Sequence, residues 1–313
     1  MTTKIFIDGA VGTTGLEIRD RLADRRDVTL VTIPDAFRKD PTARADALNA
    51  ADAVILCLPD DAAREAVALV ENPAVRIIDA STAHRTAEGW AYGFAELEPG
   101  GAAALAGATR ISNPGCYPTG FLALVRPLVR AGLLPADRTI AVAATSGYSG
   151  GGKAMIAAFE DSMADGATDT GYRLYGLDLG HKHVREMQVQ ARLAHPPIFL
   201  PSVARSYRGM LVEVPLALHD LAPGTTIAHV RDVVRDAYAG SALLSVATDL
   251  PAVLDIERTA GTDRLEMFVY ADETAGQLRL IAALDNLGKG AGGAAVQNVN
   301  LACGLPETEG LRL

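Results

Sequence analysis

Unbroken apolar strands alternate with helical segments through the first 80 residues of this 313-residue chain. The predicted strands are residues 4–7, 28–33, 53–58 and 75–78, and the predicted helices are residues 16–23 and 62–70. Strands that are apolar at every position are typical of parallel sheets whose two faces are both covered by helices. The pattern therefore predicts an α/β fold that begins with a doubly wound parallel sheet.

A glycine-rich turn joins the first predicted strand to the first predicted helix. Gly9, Gly12 and Gly15 recur at a spacing of three, with Thr13 and Thr14 between the last two. Missing side chains let backbone N–H groups approach a pyrophosphate at a helix N-terminus, so the turn indicates a Rossmann-type dinucleotide site. The alternative is that the glycines only permit tight packing between strand and helix.

The choice between NAD and NADP stays open on this evidence. Asp35 lies twenty residues after Gly15, where an acidic residue can bind a ribose hydroxyl. Arg38 and Lys39 follow closely and are suited to a 2'-phosphate. The residues thus fit either dinucleotide.

The pattern changes after Gly132, where longer strands are predicted at residues 139–144, 210–216, 264–271 and 277–284. The last two strands are joined by residues 272–276, as in a hairpin. We therefore expect a second, α+β domain that carries a mixed sheet. The closing segment, residues 288–303, is rich in small residues and reads as helical.

Cys116 lies in the stretch from Ser112 to Thr119, between helix-breaking residues and an amphipathic run that stops at Gly132. The spacing predicts that this cysteine occupies the first turn of a helix. There, free backbone N–H groups and the positive end of the helix dipole favour the thiolate and lower the pKa, which makes the sulfur a nucleophile. The alternative is a small cysteine that only packs in the core.

An activated thiol together with a dinucleotide restricts the chemistry to oxidoreduction of an aldehyde or an acyl phosphate. Such a reaction needs a general acid/base, and His181 and His183 stand together in a glycine-preceded basic stretch. A spacing of two with no third ligand nearby is weak evidence for zinc, so no metal site is predicted. A structural role for the two histidines remains a further alternative.

Candidate anion-binding groups follow the fourth predicted strand and recur in the second half. Ser81 can donate a hydroxyl, and Arg85 can make a forked contact to phosphate or carboxylate, although a solvated arginine is an equal alternative. Ser146 and Gly147 open a glycine and hydroxyl cluster that either wraps the cofactor or only links a strand to a helix. Arg205 and Arg208 are further candidates for a substrate carboxylate, with surface roles as the alternative.

Composition argues against several other classes of protein. The formal charge of -9, the pI near 5.2 and the 5% aromatic content argue against a nucleic-acid partner. The three cysteines show no metal-ligand spacing and fit a reducing cytoplasm better than a disulfide framework. No apolar run approaches the roughly 20 residues that span a bilayer. We therefore expect a soluble cytoplasmic protein with no membrane partner.

Several of these motifs together resemble the N-acetyl-gamma-glutamyl-phosphate reductases of arginine biosynthesis, in their shorter form. The resemblance runs almost end to end, and it is carried by the Cys116 core, the Gly9 turn, Ser81 to Arg85, His181 to His183 and residues 285–290. It implies NADPH-dependent reduction of N-acetyl-gamma-glutamyl phosphate, a small-molecule acyl phosphate, to N-acetylglutamate 5-semialdehyde with release of phosphate. The longer members usually carry an acidic residue and an aromatic residue where this chain has Ala83 and His84, and a proline where it has Arg185.

The resemblance also implies a role for each matching residue. Cys116 would be the acylated nucleophile, with His181 as the first choice for acid/base and His183 as its substitute. The implied cofactor residues are Gly9, Gly12, Thr13, Thr14, Gly15, Arg38, Ser146, Gly147 and Asn286, and the implied substrate residues are Ser81, Arg85 and Asn113.

The same resemblance implies an arrangement of domains and subunits. Residues 1–116 would form the dinucleotide-binding domain, completed by a C-terminal helix within 287–313. Residues 117–286 would form the catalytic and dimerisation domain of a homodimer or homotetramer. A semialdehyde dehydrogenase acting on a related acyl phosphate, of aspartyl or aminoadipyl type, would use the same chemistry. A cysteine acyltransferase or hydrolase would leave the glycine turn unexplained, and a non-catalytic dinucleotide sensor would have no use for Cys116.

Overall fold

The structure, a computed structural model, describes residues 2–37 and 40–313, and of Asp35 it describes the backbone alone. The chain divides into two compact units. Unit 1 comprises Met1–Gly115 and Ala291–Leu311, and unit 2 comprises Cys116–Gly290 and Arg312–Leu313. Residues 287–290, which the sequence analysis assigned to the first domain, fall in unit 2.

Unit 1 is built on a parallel sheet, and this confirms the predicted fold class. Its strands are β1 (Thr3–Asp8), β2 (Val28–Val31), β3 (Ala53–Leu56), β4 (Arg76–Asp79), β5 (Ala91–Tyr92) and β6 (Arg110–Ser112). Among the described residues the strand order is β2-β1-β3-β4-β6-β5, and every pairing is parallel. The chain moves from β1 to β2 on one side of the sheet and from β3 to β4 on the other, so the strand order reverses between β1 and β3. In such sheets a ligand binds outside the carboxyl ends of the strands at that point.

Helices cover both faces of this sheet because its strands are apolar on both sides. The helices are α1 (Thr13–Leu22), α2 (Pro41–Ala50), α3 (Asp60–Ala68) and α4 (Gly101–Ala106). Ile5 and Ile55 belong to one buried cluster, whereas Phe6 and Val54 belong to the other. The sequence analysis did not predict α2, whose alanine-rich stretch lacks a clear apolar period. Its start is marked by Asp40, which accepts a hydrogen bond from the Ala43 amide.

Unit 2 carries the predicted mixed sheet. Its strands are β7 (Ala141–Gly147), β8 (Tyr172–Leu174), β9 (Ile198–Ala204), β10 (Met210–Ala217), β11 (Leu244–Val246), β12 (Leu265–Asp272) and β13 (Gln277–Leu284). Within the described part of the chain their order is β11-β12-β13-β10-β7-β9-β8, with β7–β9 and β11–β12 parallel and the other pairs antiparallel. The predicted hairpin is confirmed as β12–β13. The sequence analysis missed β9, because Pro201 interrupts its strand pattern.

Four helices belong to unit 2, and a fifth returns to unit 1. The helices of unit 2 are α5 (Cys116–Arg130), α6 (Gly152–Glu160), α7 (His183–Ala191) and α8 (Ile227–Ala237). The closing segment forms a π-helical turn at Gly288–Gly292 and then α9 (Gly293–Ala302). Val296 and Val299 of α9 are fully buried in the same cluster as Ile5, so this helix is part of the core of unit 1. Within the described ranges, no helix is both long and apolar enough to cross a membrane.

Candidate active site

The glycine turn of unit 1 follows β1, at the point where the strand order of the sheet reverses. Gly9 has a φ of +90°, and a Cβ placed on it would lie 2.3 Å from the carbonyl oxygen of Cys57, just after β3. A Cβ on Gly15 would lie 2.5 Å from the Gly9 oxygen. These two glycines are therefore required by packing alone, as the alternative interpretation of the turn proposed.

Gly12 differs from its two neighbours in the turn. A Cβ on Gly12 would meet nothing closer than 3.4 Å, so packing does not require this glycine. It caps α1 with no side-chain hydrogen bond, and the first turn of that helix carries no acidic residue. The amides of Thr13 and Thr14 thus begin a helix that has neither a side-chain cap nor an acidic residue in its first turn, and such a helix start is suited to bind a pyrophosphate.

A cleft of about 670 Å³ adjoins this turn, and its lining comes from unit 1. Asp8 to Val11 form one wall, and Thr32 and Ile33, which follow β2, form another. Arg19 and Arg44 also line the cleft, and Arg44 is held by a 2.6 Å hydrogen bond from its Nε to Asp8. A helix N-terminus, bare glycine backbone and two cations fit a dinucleotide phosphate. The predicted Arg38, together with Lys39, lies outside the described residues.

The loop after β4 carries the predicted anion-binding residues Ser81 and Arg85. Arg85 is buried, and it donates from Nε to the Asn113 carbonyl oxygen at 3.0 Å and from its second amino group to Ala80 at 3.1 Å. Ser81 donates its hydroxyl to Asp79 at 2.8 Å. These contacts place Ser81, Arg85 and Asn113 in one cluster of unit 1, at the carboxyl edge of the sheet.

The side-chain amide of Asn113 makes two hydrogen bonds. Its amide nitrogen donates to the Ala291 carbonyl oxygen at 3.1 Å, and its amide oxygen accepts from Asn298 at 2.9 Å. Asn113 is 1% exposed. Its amide is therefore engaged by the chain segment that leads into α9 and by α9 itself.

Cys116 is the first residue of α5, as the helical spacing predicted. The thiol is partly exposed, and the first turn of α5 carries no acidic residue. The helix dipole therefore acts on the sulfur without an opposing charge in that turn. Residues 285–290 approach it closely, because a Cβ on Gly290 would lie 2.9 Å from the Cβ of Cys116.

Tyr117 follows Cys116 in sequence, and its ring contacts both predicted histidines. Its ring centroid lies 6.0 Å from that of His181 and 5.8 Å from that of His183. Its hydroxyl donates to the Ser202 carbonyl oxygen at 3.2 Å and accepts from Tyr175 at 2.9 Å. Burial, with the nearby charge of Cys116 contributing, raises the pKa of Tyr175 to about 12. Both tyrosines are therefore neutral hydrogen-bonding groups near neutral pH.

His181 and His183 differ in what their surroundings do to them. His181 precedes α7, and its Nδ1 accepts the backbone N–H of His183 at 3.1 Å, which satisfies one unpaired amide at the start of that helix. The neutral His181 ring must then carry its hydrogen on Nε2. Burial, and secondarily the charge of Lys182, lowers the pKa of His181 to about 4. His183 is the more deeply buried of the two, at 7% exposed.

Ser146 and Gly147 end β7, and Asn286 follows β13 in the same unit. The side-chain oxygen of Asn286 accepts from the Gly209 amide at 2.9 Å, and its nitrogen donates to the Ser149 hydroxyl at 2.9 Å. Gly147 has no room for a Cβ, which would lie 2.8 Å from the Cα of Arg208. Asn286 thus ties the loop after β7 to the loop before β10.

Of the two candidate carboxylate-binding arginines, Arg208 contacts the fully buried Asp285 at 3.3 Å. Arg205 instead donates to the Phe159 carbonyl oxygen, also at 3.3 Å. Arg208 therefore lies beside the loops that hold Asn286, whereas Arg205 contacts the end of α6. This difference favours Arg208 over Arg205 as a ligand-binding group.

The sequence motifs name Cys116 and the two histidines, but they do not reveal other residues that contact them. Tyr175 lies in no motif, and it was not predicted because only the tertiary structure brings it to Tyr117. Asp285 was named only as part of a motif, although its carboxylate accepts from the Gly261, Leu287 and Gly288 amides. Among the residues that the structure describes, no group of three or more potential metal ligands comes together.

Comparison with known proteins identifies related chains over most of this length. The family pattern described as "Semialdehyde dehydrogenase, dimerisation domain" matches residues 116–286, and "Semialdehyde dehydrogenase, NAD binding domain" matches residues 35–104. A protein of Brucella ovis named N-acetyl-gamma-glutamyl-phosphate reductase is 53% identical over 310 residues, which is 97% of this chain and 100% of that protein. A protein of Brucella canis with the same name is equally similar.

Solved structures with the same fold are more distant in sequence. Aspartate semialdehyde dehydrogenase II of Vibrio cholerae, complexed with ASA, matches with a TM-score of 0.74 at 17% identity, over 97% of this chain and 98% of that one. Aspartate semialdehyde dehydrogenase of Candida albicans, solved with NADP, matches with a TM-score of 0.63 at 13% identity, over 96% and 99% of the two chains. At these identities the likeness shows the shared two-domain fold.

Proposed function

This chain belongs to the N-acetyl-gamma-glutamyl-phosphate reductase family, and on that premise we propose that it reduces N-acetyl-gamma-glutamyl phosphate to N-acetylglutamate 5-semialdehyde with NADPH. The observation that carries the proposal is the placement of Cys116 at the open N-terminus of α5, beside the Tyr117 and His181 cluster. A nucleophilic thiol in that position is suited to form a thioester from an acyl phosphate.

The proposed reaction proceeds in three covalent steps. The Cys116 thiolate forms a bond to the acyl carbon, and the bond from that carbon to the phosphate oxygen breaks, so that inorganic phosphate leaves and takes up one proton from the solvent. Bound NADPH supplies a hydride for the thioester carbon. The resulting thiohemiacetal oxyanion re-forms its carbonyl as the carbon–sulfur bond breaks, which releases the semialdehyde and returns the thiolate. The reduction converts an acyl carbon to an aldehyde, and Cys116 is unchanged over the cycle.

His181 is the residue of the histidine pair that we assign to the acyl oxygen. Its hydrogen lies on Nε2, because Nδ1 accepts the His183 amide. A neutral imidazole in this tautomer donates a hydrogen bond to an oxygen on which negative charge develops. The role of His181 in the predicted acid/base position is then to donate a hydrogen bond from Nε2 to that oxygen. His183, whose amide fixes the tautomer, supports this geometry.

Several features of unit 1 support NADPH as the reductant. The cleft presents Arg19 and Arg44, and Thr32 stands directly after β2, near where NAD-binding folds often place an acidic residue. Arg19 or Arg44, which line the same cleft as Thr32, can pair with a 2'-phosphate. The Candida albicans relative in fold was solved with NADP. We therefore assign the cradle of Gly9, Gly12 and Gly15 to the pyrophosphate of NADPH.

The direct test is the reverse reaction of the purified protein. NADPH formation at 340 nm should require both N-acetylglutamate semialdehyde and phosphate, with arsenate replacing phosphate. Turnover of aspartate semialdehyde at the same concentration tests whether the protein acts on an acyl phosphate of aspartyl type instead. Turnover with aspartate semialdehyde but not with the acetylated substrate would reject the proposed substrate. No turnover with either aldehyde would reject the reductase function.

We assign Arg85 to the phosphate group of the substrate, and we expect Arg85→Lys to raise the KM for phosphate in this assay. A lysine offers a point charge without the planar fork, so we expect an increase of about tenfold or more. The KM for the aldehyde should change much less. Lys153, an exposed cation in unit 2, gives a control as Lys153→Arg. An unchanged phosphate dependence in Arg85→Lys would remove Arg85 from the site.

We also propose that the protein is a cytoplasmic homodimer or homotetramer that assembles through unit 2. Residues 116–286 match a domain described as a dimerisation domain. Cys57, Cys116 and Cys303 are free thiols, which favours a reducing compartment. Light scattering should give two or four times the 32.7 kDa chain mass, and a monomer would contradict the assembly. Cell fractionation tests the location.

A further inference from the structure

The loop that carries Arg85 is fastened to a carboxylate that the proposed reaction does not use. Asp79, the last residue of β4, is fully buried. Its carboxylate accepts the backbone N–H of Ser81 at 2.9 Å and the Ser81 hydroxyl at 2.8 Å. It also contacts Nδ1 of His84 at 2.6 Å. An ionised carboxylate only accepts hydrogen bonds, so Nδ1 of His84 carries the hydrogen in this contact.

The other polar groups of the loop are engaged as well. The Thr82 amide donates to Asp60, the first residue of α3, at 2.9 Å. The Ala83 amide donates to the Ser81 hydroxyl oxygen at 3.1 Å. The segment between β4 and Arg85 is therefore held at each successive residue from Ser81 to His84. A loop fixed in this way loses its conformational freedom on folding rather than on binding a ligand.

His84 is the residue that links this network to Arg85, its neighbour in sequence. Its ring stacks on Trp90 with a centroid distance of 4.0 Å and an interplanar angle of 13°. Its side chain is 12% exposed. A phenyl ring at this position would stack on Trp90 but would give Asp79 no donor. His84 therefore has two separable contacts, one with Trp90 and one with Asp79.

We propose that His84 is a positioning residue whose hydrogen bond to Asp79 fixes the Arg85 guanidinium for the phosphate group of the substrate. The inference rests on the role proposed above for Arg85. Arg85 is itself directed by the Asn113 and Ala80 carbonyl oxygens, and the path of the backbone at His84 determines whether it reaches them. Releasing His84 from Asp79 lets this path shift, and misplacing a binding group by about 1 Å can cost on the order of a hundredfold.

Two single substitutions separate the two contacts of His84. His84→Asn keeps a side-chain N–H near the place of Nδ1 and loses the ring that stacks on Trp90. His84→Phe keeps the ring and loses the donor, with His84→Tyr as a second ring variant if the first does not fold. If only packing on Trp90 matters, the phenylalanine variant behaves like the parent and the asparagine variant is impaired. Our proposal requires the opposite order.

The experiment measures the phosphate KM in the reverse reaction and the dissociation constant of inorganic phosphate by calorimetry. We expect His84→Phe to raise both constants by about tenfold, the scale of one lost charge-assisted hydrogen bond, and His84→Asn by less than about threefold. The aldehyde KM and the affinity for NADPH should remain within about twofold of the parent. Thermal unfolding of each variant identifies any loss of fold.

A double-mutant cycle with Arg85→Lys tests whether His84 acts through Arg85. Combining His84→Phe with Arg85→Lys should weaken phosphate binding little more than Arg85→Lys alone, because the two changes remove one interaction. Fully additive effects, or an asparagine variant as impaired as the phenylalanine variant, would overturn the inference. A parent protein that binds phosphate but shows no turnover would reject the proposed function, and the calorimetric constants would then decide the role of His84 by themselves.

Discussion

Replacing Cys116 with serine is expected to reduce turnover by about a thousandfold or more while leaving NADPH binding intact. A serine hydroxyl is almost entirely protonated near neutral pH, so the positive end of α5 has no anion to stabilise. The substitution is nearly isosteric, and the cleft beside the glycine turn is lined by other residues. The reverse assay gives the turnover, and calorimetry with NADPH gives the affinity. Turnover near that of the parent would rule out the thioester mechanism.

The other two cysteines supply an internal control for this prediction. Burial, with the charges of Asp79 and Asp8, raises the pKa of the Cys57 thiol to about 12, and burial also raises the pKa of the Cys303 thiol. Iodoacetamide at pH 7 should therefore label Cys116 first, since only the thiolate reacts. Mass spectrometry of the parent and of Cys116→Ser should show one labelled peptide in the first protein and none in the second. Faster labelling of Cys57 or Cys303 would contradict the assignment of the nucleophile.

Removing the His181 side chain as His181→Ala is expected to lower kcat by about a hundredfold or more, which is the usual effect of losing one donor to a developing oxyanion. His181→Gln should recover part of this loss, because glutamine carries an N–H near the position of Nε2. The same substitution two residues later, His183→Gln, provides the matched control and should cost less. Steady-state kinetics of the three variants decide the order. A greater loss in His183→Gln would transfer the role to His183.

The pH profile of the parent tests the same assignment without a substitution. Because burial and then Lys182 lower the pKa of His181 to about 4, the neutral ring is the dominant form from pH 5 upwards. Acidification should therefore remove the contribution of His181 only as the pH approaches 4. An exposed histidine would titrate near about 6.5. A histidine ionisation near 6.5 in kcat/KM that disappears in His181→Gln would show that the ring works as a cation.

Local sequence patterns were sufficient for much of the fold and for the placement of Cys116. Every position of β3 is apolar, and this defined a strand buried on both faces. The run after Cys116 has a helical period, and this placed the thiol at a helix start. By contrast, α2 and β9 were missed, because an alanine-rich helix has little apolar period and a strand with an internal proline has a broken one. Both elements therefore lack the periodic apolar pattern from which a sequence predicts a helix or a strand.

The roles of individual site residues depended on contacts that cross long stretches of the chain. The sequence does not distinguish His181 from His183, whereas in the folded chain the His181 ring accepts an amide and contacts Tyr117, Tyr175 and Phe199. It also gave Asn286 no fixed environment, whereas the folded chain bonds this amide to Gly209 and Ser149. Such partners come from loops that are distant in sequence and have no periodic signal.

The sequence by itself determined the parallel sheet, the glycine turn, the position of Cys116 at a helix start and the family resemblance, because each depends on residues that are adjacent in the chain. Only the tertiary structure decided the tautomer of His181, the tyrosine pair beside it and the attachment of His84 to Asp79. The physical reason is that hydrogen bonding and burial depend on distance in space. A backbone pattern specifies that distance for neighbours in the chain, whereas for remote residues it is specified only once each unit has folded.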